Sequence, residues 1–272
     1  MSSRSPATSI TGLLRSIGAF RRLTTAIKDA ETNRPETTSK RFWKEVGIEK
    51  HGESFAVTLD KRPLKTPSGN ALLLPRNKTL VASLIATEWD NQEKMIKPHA
   101  LPLTSLAARA IDAFKEKETR TDIHASLLRY LDTDTICFYQ DHPSHLVDLQ
   151  TKHWDPLHEW MQKTYDVKIQ NTNSIIFNSQ SDETKQKLRK VLEGLDQWEL
   201  AAMERATMTT KSFIIALALV KRYIGPEEAS SAAHVEVNSQ IERWGEVEDT
   251  HDVDYHDVRR QLGSVACLIS AL

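Results

Sequence analysis

The sequence predicts an α+β protein, a small N-terminal antiparallel sheet with helices followed by a mainly α helical bundle. Three observations carry this. Up to residue 75 the apolar runs are short and separated by turn residues; beyond it they recur at three- and four-residue steps; and no repeat of fixed period organises the chain. The 272 residues suit two small domains, over residues 36–117 and 118–272, preceded by a segment of different character at residues 1–35.

That first segment reads as an address rather than as fold. From Met1 to Lys28 there is no Asp or Glu, while Arg4, Arg15, Arg21, Arg22 and Lys28 stand among many Ser and Thr residues. Ile10, Leu13, Leu14, Ile17, Phe20 and Leu23 recur at helical steps, giving the basic amphipathic composition of a mitochondrial transit peptide. A secretory signal would need an uninterrupted apolar core, which Arg15 and Gly18 break. The expectation is delivery by the import machinery to the mitochondrial matrix, with residues before about Asn33 disordered and residues 32–40 a polar linker. The plainer alternative is a disordered tail without an address.

The fold is expected to start near Arg41. Residues 42–48, 54–60 and 72–74 are strand-like, and the turn groups Glu49-Lys50-His51-Gly52, Asp60-Lys61-Arg62-Pro63 and Thr66-Pro67-Ser68-Gly69-Asn70 separate them. After Pro75, Leu80, Leu84, Ile85 and Trp89 mark one helix, and Leu103, Leu106, Ala107, Ala110, Ile111 and Phe114 mark another. Both are placed to cover one face of the sheet.

Beyond residue 120 the signal is almost wholly helical. Ile123, Leu127 and Leu131 form one stripe; Leu146, Leu149, Trp154, Leu157 and Trp160 form a second, broken or kinked at Asp155-Pro156; Leu188, Val191, Leu192 and Leu195 form a third. Residues 213–224 are apolar nearly all round, the mark of a central buried helix. Pro226 opens a helix expected to run to Gly245, and Val258, Leu262, Val265 and Ile269 stripe the last one. Residues 136–139 and 175–177 are expected as short extended pieces.

Composition excludes several function classes. With 36 basic and 37 acidic residues the net charge is -1, and once the leader is set aside no basic stripe remains to bind nucleic acid or an acidic membrane surface. Cys137 and Cys267 are the only cysteines, too few for a disulfide framework or a cysteine metal motif. The most apolar stretch, Phe213–Val220, is too short to insert across a bilayer. GxGxxG, P-loop, GxSxG and HExxH patterns are absent, so neither a cofactor nor catalysis is expected.

Three segments remain as candidates. Residues 249–257 hold Asp252, Asp254 and His256, which would point one way if extended and so suit a metal-dependent hydrolase with Glu236 as base. The glycine and glutamate of a calcium loop do not follow, and a simpler account has Asp252 or Asp254 capping the final helix, so no metal is expected. In the helix at 226–245, Ser230, Ala233, Val237, Ile241 and Trp244 form a stripe expected to face the core, with Glu236 and Gln240 on its flank beside Arg243. This flank reads either as a solvated surface or as a contact surface in which the carboxylate fixes orientation. Glu88 and Gln92 repeat that four-residue spacing beside Trp89, again either as ordinary helix surface or as part of a site.

At these segments the chain resembles a known family, the mitochondrial assembly chaperones that bind the free α subunit of the F(1) sector of ATP synthase, the ATP12-type assembly factors. The resemblance rests on Arg41-Phe42-Trp43-Lys44, on Leu59-Asp60-Lys61-Arg62-Pro63-Leu64-Lys65-Thr66-Pro67, on Glu88-Trp89-Asp90-Asn91-Gln92 and on Leu101-Pro102-Leu103-Thr104. It continues through Asp132-Thr133-Asp134-Thr135, Trp154-Asp155-Pro156-Leu157 and the stretch from Glu236 to Asp252. It implies an N-terminal α/β domain followed by an orthogonal helical bundle. It also implies a chaperone without catalysis that holds newly imported α subunit, covers the surface that later meets β, and yields it as the hexamer forms. The family's important acidic residue maps onto Glu236, with Gln240, Arg243 and Trp244 beside it and Glu88 and Gln92 as further partner-binding positions. Some members carry more carboxylates directly after that glutamate, where this chain has Val237 and Asn238.

Overall fold

The computed structural model describes residues 40–114, 116–173 and 179–271. The leader at 1–35, the linker up to residue 39 and the extended piece expected at 175–177 lie outside the described residues. Contacts set Arg41–Leu272 apart as one compact unit.

The sheet is built around its second strand. β1 (Val46–His51) and β3 (Arg62–Pro63) pair antiparallel with β2 (Ser54–Leu59), and β4 (Leu73–Pro75) joins β2 at its other end. Ala56, Val57, Thr58 and Leu59 are all buried, so β2 is covered on both faces, while β1 is mostly exposed as befits an edge. Asp60 and Lys61 make the two-residue turn from β2 to β3 with φ of 47° and 64°, the left-handed pair that matches strand twist in a tight hairpin. The Asp60 carboxylate accepts the backbone N–H groups of Glu45 and Lys44, each at 2.9 Å, and these bonds hold its pKa below the usual range. They explain a correction. The first strand starts at Val46 rather than at residue 42, because the N–H groups of Lys44 and Glu45 are taken by a side chain instead of a ladder.

Two helices close the sheet. α1 (Thr79–Asp90) packs on β1 and β2, and α2 (Pro102–Asp112) packs on α1. Ile85 is buried as expected, together with Val81 and Ala82, while Leu80, Leu84 and Trp89 of the expected stripe are half-buried. α2 matches its expected stripe from Leu103 to Ile111.

Nine helices follow: α3 (Lys117–Asp132), α4 (Ser144–His153), α5 (Asp155–Tyr165), α6 (Asp182–Glu193), α7 (Gln197–Thr210), α8 (Phe213–Val220), α9 (Pro226–Ala233), α10 (Val235–Trp244) and α11 (Glu248–Ile269) among the described residues. Residues 135–137 form a short 3-10 turn, and Phe138 bridges Thr172, where an extended piece was expected over 136–139. α7, which no stripe announced, is the hub: it packs on α2, α8 and α11. Its start is a capping box, in which Asp196 accepts the N–H groups of Trp198 and Glu199 while Glu199 accepts that of Asp196.

Every residue of α8 is buried, as its all-round apolarity requires. Its first turn is held from outside by Asp134, whose carboxylate accepts the N–H groups of Ile214 at 3.0 Å and Ile136 at 3.2 Å. Burial pushes that carboxyl up to about 6. Trp154 stands at the α4–α5 break and donates its indole N–H to the Ala232 carbonyl at 2.8 Å, tying α5 to α9. The hydrophobic core runs without interruption from Trp43 to Ile269.

Candidate partner-binding surface

The chain from Pro226 does not form one helix to Gly245. It breaks at His234, whose φ and ψ of -101° and 15° leave the helical range. The imidazole fixes this joint: Nδ1 meets the Ser230 carbonyl at 2.8 Å and Nε2 meets an Asp254 carboxylate oxygen at 3.0 Å. Each ring nitrogen thus has an oxygen partner, one on α9 and one on the helix that follows α10. Gly245, at φ 85°, then turns the chain out of α10.

α10 presents three faces, set by its 3.6-residue period. Val235 and Ser239 are buried, and on this side the helix packs on α4, with Glu242 paired to His145. Glu236, Gln240 and Arg243 share a second stripe and are exposed to solvent. Val237, Ile241 and Trp244 make the third. This corrects the expectation that the last stripe faces the core: Val237 and Ile241 are only half-buried, and Trp244 is 71% exposed beneath the Arg243 guanidinium, 5.0 Å from the ring centroid.

The third stripe faces a pocket closed on its far side by the start of α11. Val237 and Ile241 line one wall; Glu246, His251 and Tyr255 line the other; the His234–Asp254 contact shuts one end. Arg259 lies 3.3 Å from the Tyr255 ring centroid and donates to Glu227 at 2.9 Å, so its charge is already engaged.

Asp252, Asp254 and His256 sit inside α11, which begins at Glu248, so neither the extended metal segment nor the cap at Asp252 or Asp254 is formed. In a helix Asp254 points about 200° away from Asp252, and the three cannot converge on one ion. Among the described residues no group of three or more His, Cys, Asp and Glu side chains is placed to hold a metal ion. Nor is any helix there long and apolar enough to cross a membrane.

Glu88 and Gln92 are placed elsewhere, at the end of α1. The Glu88 carboxylate accepts the N–H groups of Leu103 at 2.7 Å and Thr104 at 2.9 Å, and the Thr104 hydroxyl at 2.7 Å, which caps α2. Burial raises its pKa, against the pull of those three bonds. Gln92 is buried, donating to the Glu88 carbonyl at 3.0 Å and accepting from Lys97 N–H at 2.7 Å. Both side chains are committed to the fold, whereas the α10 positions are not.

A cleft of about 670 Å³ lies between the loop at 65–72 and α2. Two of its ionisable groups are engaged: Asp112 accepts from Thr66, Asn70 and Ser68, and Arg109 forms a two-bond pair with Glu204.

Comparison with known proteins follows the same lines. Residues 40–162 match the family model described as ATP12 chaperone protein. "Protein atp12, mitochondrial" of Schizosaccharomyces pombe is 36% identical over 242 residues, spanning 86% of this chain and 83% of that protein. The chain belongs to the ATP12 chaperone family. "Protein ATP12, mitochondrial" of Saccharomyces cerevisiae is 34% identical, with 87% of this chain and 85% of that protein covered. The crystal structure of Atp12 from Paracoccus denitrificans superposes with a TM-score of 0.69 at 31% identity, over 85% of this chain and 96% of that one. The α+β fold of ATP12 structures is therefore this chain's fold.

The pocket between α10 and α11, and the apolar residues Val247, Val253 and Tyr255, were not singled out from sequence. A signal was present, since these apolar side chains stand inside an acidic run where a solvated helix has no use for them.

Proposed function

We propose that this ATP12-family protein works in the mitochondrial matrix as an assembly chaperone of ATP synthase. It holds the free F(1) α subunit and masks its β-contacting surface until the hexamer forms, and it does so by binding alone. The observation that carries this reading is the uncommitted stripe of α10, Glu236, Gln240 and Arg243, ending at the exposed indole of Trp244. A lone subunit of a ring exposes a large apolar interface, and such a surface calls for a cover during assembly. An exposed carboxylate beside an aromatic anchor suits that task, the anchor for affinity and the charge for orientation. The mitochondrial names of the two fungal relatives support the location, and the basic leader supports import.

The test is capture of purified, unassembled α subunit by the full chain. Wild type is expected to retain it and Glu236→Ala to weaken retention at least fivefold. Equal retention by the variant removes Glu236 from the contact, and no retention by wild type overturns the reading.

A further inference from the structure

Apolar exposure and negative charge coincide in one place on this protein. Among the described residues eight large hydrophobic side chains are exposed, and four of them, Trp244, Val247, Val253 and Tyr255, fall within twelve consecutive residues. The same stretch is acidic. Residues 235–257 hold Glu236, Glu242, Glu246, Glu248, Asp249, Asp252, Asp254 and Asp257 against Arg243 alone, in a chain whose net charge is only -1.

The geometry adds an entrance to this patch. The pocket between α10 and α11 is small, with half-buried Val237 and Ile241 on one wall and Tyr255 on the other, and Glu246 and Asp254 lie along it. Its size suits one side chain, not a helix. Trp244 stands one turn beyond Ile241 on the same stripe. The backbone N–H of Val247 is bonded to Nδ1 of His251 at 3.0 Å, which fixes the turn beside the pocket. Arg259, which also lines the pocket, is paired with Glu227, and Arg243 lies over the Trp244 ring, so each of these cations already has a partner.

We propose that this pocket is the anchor site for a single apolar side chain carried on a Lys- or Arg-rich segment of the client. The site rests on the chaperone reading above and adds to it the chemistry of the contact. Charge complementarity selects the occupant: an apolar anchor alone would fit many surfaces, but its neighbours here meet Glu246 at the pocket and Glu236 on the adjoining stripe, within a stretch that holds eight carboxylates, which an acidic or neutral segment does not match. The Glu236 stripe lies about a quarter-turn around α10 from the pocket mouth, so one partner segment can reach both.

Two measurements test this on the full chain. The first uses a designed amphipathic peptide of Leu and Lys and its Leu and Glu counterpart, followed by fluorescence anisotropy. The Leu-Lys peptide is expected to bind at least tenfold tighter, to weaken at least tenfold between 50 and 500 mM salt, and to weaken at least fivefold with Trp244→Ala or Ile241→Glu. Trp244 is too exposed for its loss to unfold the protein, which keeps the test sound if Ile241→Glu does not fold. Equal binding of the two peptides, or unchanged binding by Trp244→Ala, overturns the proposal. The second is capture of F(1) α subunit by the same variants. Capture by wild type that survives both substitutions overturns the anchor site while leaving the chaperone reading intact, and no capture by wild type overturns that reading instead. A concentration-dependent dimer in sedimentation, abolished by Trp244→Ala, assigns the pocket to a second copy and overturns the proposal.

Discussion

Glu88 with Gln92 and Glu236 with Gln240 repeat one pattern, a carboxylate and an amide four residues apart, and the two regions treat it in opposite ways. At the end of α1 the pair is folded inward: three donors of α2 converge on the carboxylate, and the amide is buried between two backbone groups. On α10 both side chains point to water, on a helix whose apolar stripe is left uncovered. The lesson is that a motif marks a residue as required without saying for what. Most of the segments that identify the family are staples of the fold: Asp60 organises the chain before β1, Asp134 caps α8, Trp154 ties α5 to α9. The α10–α11 region turns most of its pattern outward.

Substitutions sharpen that contrast, and the largest effect is expected at Asp134. Asp134→Asn turns an amide N–H₂ toward backbone donors at the buried start of α8 and is expected to cost about 3 kcal/mol in urea unfolding. Its pH dependence carries a definite sign. A carboxyl raised from 3.8 to about 6 keeps, in the folded state, a proton that the unfolded chain has lost. Its contribution to stability is therefore present at low pH and fades as pH rises through the window from about 4 to 6. The variant lacks it, so the cost of Asp134→Asn should be greater at pH 4 than at pH 7, by about 2 kcal/mol. A cost that is the same at both values would show that the carboxyl does not titrate there.

Next comes Glu88→Ala, which leaves the first N–H groups of α2 without their acceptor. A loss of about 2 kcal/mol is expected. A loss below about 0.5 kcal/mol would place Glu88 with the surface residues and erase the contrast with Glu236. Trp154→Phe puts a smaller ring at a buried position, removing the bond to the Ala232 carbonyl and leaving a cavity, for about 2 kcal/mol. The smallest effect is expected for Glu236→Ala, within about 0.5 kcal/mol of wild type, because the side chain is exposed and favours the fold only through its charge in the first turn of α10.

Much of the fold was legible because each element is locally consistent. The all-round apolarity of α8 required burial, the period of Val258, Leu262, Val265 and Ile269 required one buried face of α11, and Asp60-Lys61 required a turn. What stayed hidden depends on distant partners. The break at His234 has no Gly or Pro to announce it; it is held by the imidazole, which bonds Ser230 and reaches across to Asp254 on another helix. The stripe of Val237, Ile241 and Trp244 was visible as a stripe, but periodicity does not say whether a core or a partner covers it. The start of α11 at Glu248 was missed because carboxylates read as loop. In the structure Glu248 and Asp249 occupy the first turn, where the helix dipole favours them. At the candidate site, Glu236, Gln240, Arg243 and Trp244 were expectations from helical spacing and family resemblance, while the pocket beside them needed two helices to be placed together.

The most direct test measures, in one set of samples, retention of free F(1) α subunit and urea stability for Glu236→Lys and Glu88→Ala. The account predicts that Glu236→Lys loses retention at wild-type stability, and that Glu88→Ala loses stability but retains the subunit under conditions where it is folded. Retention unchanged in Glu236→Lys, or lost only in step with stability, would contradict it.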